Sequence, residues 1–396
     1  MQKLRGCRRL ALAVLCLGLI AVVGLGQAML DRTEAAQGNM VFGPIFEVDP
    51  LWPKPLPNHW LLGSTIGVDA DARDHIWIIH RASSLAAGET PAAQDPPNAD
   101  ECCFGAPPVL EFDPAGTLVG YWGGPGEGYD WPESNHGVTV DHMDNVWVGG
   151  NGGPDAHILK FTRAGRFLMQ SGTAGASTGS NDPANFSRVA KIFVDARANE
   201  AYISDGYGNK RVVVVDADTG EFKRFWGAYG NTPDDADLGR YVPSAEPAQQ
   251  FRGPVHCAEL SHDGMLYVCD RTSDRIQVFQ ADGTFVKEMF IEKNTLGAGS
   301  TWDIDFSRDA SQKYIYVADG VNQRIHIVDR ASMTVLSSFG DGGRQPGQFF
   351  GAHSITTDSL GNIFVTETFE GKRVQKFTYM GEGPIRAQQG VVRAGS

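Results

Sequence analysis

Alternating apolar and polar residues recur along the chain in six short stretches of the same shape. They read Ile76-Trp-Ile-Ile-His-Arg81, Val146-Trp-Val-Gly-Gly150, Ala201-Tyr-Ile-Ser-Asp205, Leu266-Tyr-Val-Cys-Asp270, Ile315-Tyr-Val-Ala-Asp319 and Ile363-Phe-Val-Thr-Glu367. This alternation, bounded by Gly, Asn and Asp, is typical of half-buried antiparallel strands. One strand precedes each stretch and two follow it, so each unit predicts four strands. Six such units predict an all-β fold, a six-bladed β-propeller.

The length of the chain, 396 residues, would allow two or three ordinary domains, but repeats that close into a ring form one. We predict a single propeller over residues 37–396, with blades at 60–124, 132–172, 186–230, 251–291, 299–340 and 349–381. A Pro- and Ala-rich insertion at about 82–108 interrupts the first blade and is expected to be a functional or mobile, lid-like loop. The last blade needs one more strand, from 41–48 or from 385–392, and we favour the first.

The first 36 residues are predicted to be a signal peptide or an uncleaved membrane anchor. A basic cluster ending at Arg9 precedes an uncharged apolar run to Leu30, and Gly26-Gln-Ala28 offers a small-x-small cleavage site. The run is also about long enough to span a bilayer, although we favour cleavage. In either case the propeller is exported, to the periplasm, the extracellular space or the outer side of a membrane.

The net charge bears on the partners of the protein, and the cysteines bear on its possible disulfides. A formal net charge of -13 excludes nucleic acid as an expected partner. Export permits disulfides in the four cysteines beyond the leader. Cys257 and Cys269 lie on consecutive strands of one blade, where a disulfide and two buried thiols are both open interpretations. Cys102 and Cys103 lie in the insertion, where a vicinal disulfide is also open.

Three histidines share one register in alternate units. His136, His256 and His353 begin innermost strands, where the other units have Ser64, Ala190 and Trp302. Such positions lie near the axis of a propeller, so three imidazoles would approach one point at about 120°, as in a three-histidine zinc site with an open fourth position. The alternative is a set of independent packing histidines. Surface or packing roles are assigned to His75, His142, His157, His262 and His326.

The loop after the second strand of a blade opens at the same mouth and carries Arg81, Arg271 and Tyr207. Two guanidiniums beside a metal form an anion site suited to a carboxylate. A phenol becomes a useful base where positive charge stabilises its phenolate. Surface ion pairs and a packed loop tyrosine are the alternatives. Four arginines that start third strands behind an acidic residue are assigned to structural ion pairs: Arg211, Arg275, Arg324 and Arg373.

From residue 51 to 377 the chain resembles the peptidyl-α-hydroxyglycine α-amidating lyases, and its strands also resemble NHL repeats. The motifs are Ile78-Ile-His-Arg81, Asn135-His-Gly-Val-Thr-Val-Asp141, Tyr202-Ile-Ser-Asp-Gly-Tyr-Gly-Asn-Lys-Arg211, Gln250-Phe-Arg-Gly-Pro-Val-His256, Val268-Cys-Asp-Arg-Thr272 and Ala352-His-Ser354. The resemblance implies zinc ligands at His136, His256 and His353 and catalytic roles for Tyr207, Arg81 and Arg271. Ser354 stands where the family has a calcium-binding Asp, and Gly351 where it has a Met. These departures weaken the expectation of a structural calcium ion.

The resemblance implies a lyase that cleaves the N–C bond of a carbinolamide to an amide and glyoxylate. Its substrate would be a small-molecule or peptide carboxylate, hydroxylated by a separate enzyme because no copper monooxygenase domain fits in this chain. Two other classes stay open. One is a non-catalytic NHL-type propeller that binds a peptide or glycan across its mouth. The other is a metal-dependent lactonase or esterase, which would favour carboxylate and Asn ligands that do not align in this sequence.

Overall fold

The computed structural model describes residues 40–393, and strands make up nearly all of their regular structure. The strands are β1 (Met40–Asp49), β2 (Trp60–Leu61), β3 (Ser64–Ala70), β4 (Ile76–Arg81), β5 (Phe104–Gly105), β6 (Val109–Phe112), β7 (Leu118–Trp122), β8 (Asn135–Val140), β9 (Asn145–Gly150), β10 (His157–Thr162), β11 (Phe167–Gly172), β12 (Lys191–Asp195), β13 (Glu200–Asp205), β14 (Arg211–Asp216), β15 (Phe222–Trp226), β16 (Val255–Leu260), β17 (Met265–Asp270), β18 (Arg275–Gln280), β19 (Phe285–Phe290), β20 (Asp303–Phe306), β21 (Tyr314–Asp319), β22 (Arg324–Asp329), β23 (Thr334–Phe339), β24 (Ala352–Thr357), β25 (Ile363–Glu367) and β26 (Arg373–Arg386). Single-turn 3₁₀ helices occupy Ala82–Ser84, Pro91–Ala93, Ala228–Gly230 and Arg271–Ser273.

Six four-stranded antiparallel sheets form the blades, which confirms the predicted six-bladed propeller. From the centre outwards, blade one is β3-β4-β6-β7, blades two to five are β8–β11, β12–β15, β16–β19 and β20–β23, and blade six is β24-β25-β26-β1. The insertion after β4 holds two of the single-turn helices and β5, which pairs in parallel with β2. The predicted leader lies outside the described residues.

The ring closes through the strand from the N-terminal side, as favoured from the sequence. β1 pairs antiparallel with β26, placing Val41 opposite Ile385 and Val48 opposite Phe377. The other candidate segment, 385–392, leaves β26 and runs along blade five, where the amide of Ser338 donates to the carbonyl of Ala387 at 2.9 Å. Both ends of the propeller are thereby paired, which covers edges that would otherwise be open to other strands.

The hydrophobic core lies between neighbouring blades. One cluster joins Tyr202 and Val214 of blade three to Val268 and Phe279 of blade four, all almost fully buried. Comparable clusters occupy the other blade interfaces, so packing holds each inner strand from both sides. The residues that begin these strands are therefore held rigidly around the axis at one mouth.

Three of the four predicted structural arginines form the expected ion pairs. Arg211 bonds to Asp205 at 2.8 Å, Arg275 to Asp270 at 2.9 Å and Arg373 to Glu367 at 2.7 Å. The prediction for blade five was wrong. There Asp319 pairs with the buried ring of His326 at 3.0 Å, while the side chain of Arg324 donates to the carbonyl of Asn322. A histidine two residues along the strand lies closer to the acid, which changes the partner of the arginine.

Cys257 and Cys269 face each other on β16 and β17 and form a disulfide, with an S–S distance of 2.01 Å and Cα atoms 4.9 Å apart. The sulfurs of Cys102 and Cys103 also lie within bonding distance of each other. Disulfides persist in oxidising compartments, which agrees with the export predicted from the leader. Between residues 40 and 393 no helix is long and apolar enough to cross a membrane. Export itself stays a prediction.

A buried carboxyl at the joint of blades four and five makes the stability of the propeller depend on pH. Asp274 accepts hydrogen bonds from the amide and hydroxyl of Ser300 at 2.9 and 3.1 Å, and its Oδ2 has no partner among the described residues. Burial raises the pKa of this carboxyl to about 7. Because this value exceeds the roughly 3.9 of an unfolded chain, the carboxyl stabilises the fold below about pH 4, and this stabilisation is lost as the pH rises to about 7.

We expect the substitution Asp274→Asn to remove this pH dependence. Between about pH 4 and 7 the carboxyl should lower the free energy of unfolding by up to about 1.4 kcal/mol per pH unit in the wild type. Asparagine keeps the shape of the side chain and tolerates the left-handed backbone at this position, where φ is 55°. Urea unfolding of both proteins across this window measures the two slopes. Parallel slopes would contradict the prediction.

Candidate metal centre

The three aligned histidines meet at the centre of the ring. His136, His256 and His353 are the second residues of β8, β16 and β24, and their ring centroids lie 4.9 to 5.2 Å apart. One ring nitrogen of each lies within 4.8 Å of those of the other two. All three side chains are buried. The structure thus brings together the imidazoles that the sequence places in alternate blades.

A β-bulge at each histidine shapes the local backbone. The strand register shifts at His136, at His256 and at His353, and bulges of this kind re-aim side chains. The residue after the first histidine is packed closely against the neighbouring blade. Gly137 has a φ of 73°, and a Cβ there would lie 2.6 Å from the carbonyl oxygen of Ala190. Glycine at this position lets the neighbouring blade approach the imidazole.

Two of the blades that lack a histidine provide a hydrogen-bond acceptor for a histidine directly, and the third does so through the hydroxyl of Ser354. Nδ1 of His136 donates to the carbonyl of Ala190 at 2.7 Å, and Nδ1 of His256 donates to the carbonyl of Trp302. Nδ1 of His353 lies 3.1 Å from the hydroxyl of Ser354, which donates to the carbonyl of Ile66. Because a carbonyl only accepts, we assign the proton to Nδ1. Nε2 is left with its lone pair, as in histidine ligands oriented by a second interaction.

The electrostatic surroundings keep these imidazoles neutral. Burial lowers the pKa of each of the three rings well below its usual value, and the charge of Arg271 contributes in every case. Neutral imidazole is the form that binds metal ions. Three such rings without a carboxylate suit zinc, which takes nitrogen ligands in tetrahedral sites with an open position in catalytic centres. The residues therefore fit the predicted ion.

A second group of possible ligands has no such fit. Asp71, His75 and Glu111 lie close together, but the guanidinium of Arg163 sits among them. Arg163 bonds to Asp71 at 2.6 Å and also to Glu111, while His75 lies 2.6 Å from the Glu111 carboxylate. The cation of this cluster is an arginine, so the group is an ion-pair network between blades one and two.

Tyr207 and Arg271 lie directly over the three histidines. The phenol oxygen is 3.2 Å from Nε2 of His136 and 2.9 Å from Nε2 of His256, and Arg271 donates to it at 3.0 Å. The Arg271 guanidinium lies between two aromatic rings, 5.4 Å from that of Tyr207 and 4.4 Å from that of Trp302. Its Nε is buried with no partner in the described part of the chain. A buried donor left unsatisfied at a mouth is suited to an anionic ligand.

Arg81 is placed at the same mouth but held differently. Its Nε donates to the carbonyl of Asn135, the residue before His136, at 3.1 Å, and its Nη2 donates to the side chain of Asn151 at 2.7 Å. Burial lowers the pKa of Arg81, opposed by the nearby acidic groups of Tyr207 and Asp155. Blade two therefore fixes this guanidinium beside the first histidine, whereas Arg271 contacts the phenol itself.

Three residues at the mouth were not predicted from the sequence to belong to the site. Trp302 was only the non-histidine residue at its register, yet its ring lies 5.5 Å from that of His353 and covers Arg271. Asn151, which replaces arginine in blade two, orients Arg81. Phe369 fills the space at Gly351, where a Cβ would lie 3.1 Å from its ring, and packs edge-on to Trp302. Of the three, only Trp302 could have been noticed in the sequence, because an aromatic residue stands there at the register that histidine occupies in alternate blades.

Comparisons with known proteins agree with this picture at a coarse level. No protein-family model matches the chain. It is 26% identical over 303 residues to NHL repeat-containing protein 3 of Mus musculus, covering 74% of this chain and 70% of that protein. It is 23% identical over 351 residues to peptidyl-alpha-hydroxyglycine alpha-amidating lyase 1 of Drosophila melanogaster, covering 83% of this chain and 59% of that protein. The chain is a distant relative of these two proteins.

A partial match and a solved structure complete the comparison. Over 157 residues the chain is 29% identical to peptidyl-glycine alpha-amidating monooxygenase A of Xenopus laevis, covering 39% of this chain and 15% of that protein. The chain thus spans less than two thirds of the length of these amidating relatives. Streptogramin B lyase superimposes with a TM-score of 0.50 at 11% identity, over 86% of this chain and 98% of its own. That likeness shows the fold alone.

Proposed function

We propose that this protein is a zinc-dependent carbon–nitrogen lyase that cleaves a carbinolamide, N–CH(OH)–COO⁻, to a primary amide and glyoxylate. The observation that carries the proposal is the phenol of Tyr207, which contacts two Nε2 atoms of the histidine cluster and the guanidinium of Arg271. The distant relationship to an amidating lyase supports the same reaction. The hydroxylated substrate would come from a separate hydroxylating enzyme, and catalysis would take place outside the cytoplasm.

The metal would be held by His136, His256 and His353 through their Nε2 atoms, since their Nδ1 atoms face acceptors or a hydroxyl. A bound zinc ion supplies Lewis acidity at the hydroxyl oxygen of the substrate and makes its proton easier to remove. Calcium is not part of this proposal, because Ser354 uses its hydroxyl on the carbonyl of Ile66 at 3.0 Å.

The two arginines bind the substrate carboxylate. Arg271 offers its unpartnered Nε in the planar fork that suits a bidentate carboxylate contact. Its stacking between Tyr207 and Trp302 limits the rotation of the guanidinium, so little order has to be gained on binding. Arg81, fixed by Asn135 and Asn151, adds positive charge near Tyr207.

Tyr207 acts as the base. As a phenolate, stabilised by the Arg271 donor at 3.0 Å, it takes the proton of the substrate hydroxyl. The electrons of the O–H bond form the carbonyl of glyoxylate, the C–N bond breaks, and the amide nitrogen accepts the proton. All atoms of the carbinolamide appear in the two products, so no co-reactant is needed.

Metal analysis followed by a product assay tests the proposal. We expect the purified protein to contain stoichiometric zinc and to release equal amounts of benzamide and glyoxylate from N-benzoyl-α-hydroxyglycine. A chelator should abolish the release, and zinc should restore it. Zinc without glyoxylate would leave the metal centre but refute the substrate. A propeller that only binds a peptide or glycan would show neither.

A further inference from the structure

A buried ion-pair cluster lies in the hub, on inner strands that also carry the histidines or directly follow their acceptors. The ammonium of Lys191 is 2.6 Å from the carboxylate of Glu259 and 2.8 Å from that of Asp303. The other oxygen of Asp303 accepts the amide of Ile355 at 3.1 Å. These three contacts join the inner strands of blades three, four, five and six. These contacts link four blades at the hub and involve none of the site residues described above.

Each cross-link starts within three residues of a histidine or of its acceptor. Lys191 follows Ala190, whose carbonyl accepts the proton of His136, and Asp303 follows Trp302, whose carbonyl accepts that of His256. Ile355 lies two residues beyond His353. A shift of the ion pair would consequently move the carbonyls that orient two of the three rings.

The charge state of the cluster fits this role. Burial opposes the charge of Lys191, but the carboxylates of Asp303 and Glu259 outweigh it and raise the pKa of the ammonium. Buried ion pairs add little stability compared with apolar residues of the same volume, because both charges lose their hydration. Stability alone therefore gives no reason for placing lysine at the axis.

We propose that Lys191 is a positioning residue of the metal centre, which holds the acceptor carbonyls of Ala190 and Trp302 through its ion pairs with Glu259 and Asp303. The inference rests on the metal-binding half of the proposed function and is independent of the lyase reaction. Residues that orient metal ligands from outside typically contribute about 10- to 100-fold to metal affinity.

The test compares zinc affinities of the full chain by competition with a chelating dye. In the double variant Lys191→Met/Asp303→Asn both charges of one pair are removed together, which spares the fold an unpaired buried charge. Without the ammonium of Lys191, burial, which already raises the pKa of Glu259 to about 8, favours the neutral form of this carboxyl in the variant. We expect zinc affinity to fall about 10- to 100-fold. The matched control is Arg224→Met/Glu200→Gln, which removes a 2.6 Å ion pair between the second and fourth strands of blade three and should leave the affinity unchanged.

Each outcome decides the inference. Wild-type affinity in a folded hub variant, or an equal loss in the control, would overturn it. If the hub variant shows no cooperative melting, Lys191→Arg keeps the charge but moves it, and an affinity lowered by about threefold or more supports the inference while no change overturns it. A wild-type protein that binds no zinc would instead refute the proposed metal centre and this inference together.

Discussion

Replacing His256 with alanine is expected to abolish stoichiometric zinc binding and to lower glyoxylate release by more than about 100-fold. The loss should exceed the roughly 10- to 100-fold typical of residues behind the ligands, because a direct ligand is removed. Two imidazoles would remain, which is fewer than the three protein ligands usual in catalytic zinc sites. The Trp302 carbonyl would also lose its donor. Zinc content by elemental analysis and glyoxylate release by a coupled assay measure the two effects.

The matched control is His326→Gln. His326 is buried to the same degree as the three clustered histidines, but it lies on β22 and pairs with Asp319 at 3.0 Å. Its replacement should lower the melting temperature and leave both zinc content and activity per folded molecule unchanged. If the two variants lose zinc equally, general destabilisation accounts for the loss and His256 is not a ligand.

Replacing Tyr207 with phenylalanine is expected to lower kcat by about 10²- to 10⁴-fold, the usual contribution of a general base. Zinc content should stay at the wild-type value, because the three Nε2 atoms are untouched. KM should change little, because the carboxylate is bound by Arg81 and Arg271. The ring itself remains to stack on the Arg271 guanidinium. Steady-state kinetics on N-benzoyl-α-hydroxyglycine, with metal analysis of the same preparation, separate these effects.

Tyr202→Phe is the control for loss of a phenol. Tyr202 lies on β13 in the same blade. Its hydroxyl donates a hydrogen bond of 3.1 Å to Glu200, and this pair lies away from the hub. This variant should retain full activity. A Tyr207→Phe variant with wild-type kcat would assign proton removal to another group, while the metal centre would stand.

The sequence alone determined the fold and the register of the candidate ligands. Alternation of apolar residues reports which face of a strand is buried, and this local signal survives in all six units, for example from Ile76 to Arg81 and from Leu266 to Asp270. Aligning the units then provided a common frame, in which His136, His256 and His353 stand out. The need to complete the last blade left two candidate closing strands, and the one favoured from the sequence, 41–48, is the one that pairs with β26.

Which atoms face one another at the hub depends on how the six blades are assembled. His136 meets Ala190, 54 residues away, and Lys191 meets Asp303, 112 residues away, across boundaries between blades that periodicity does not describe. The Arg324 prediction failed for a related reason, since a competing partner for Asp319 sat two residues along the same strand. Strand patterns determine which side of a sheet a residue occupies, whereas the orientation of an imidazole depends on hydrogen bonds supplied by a different blade. The alternation of histidine and acceptor around the axis became visible only when the ring was closed.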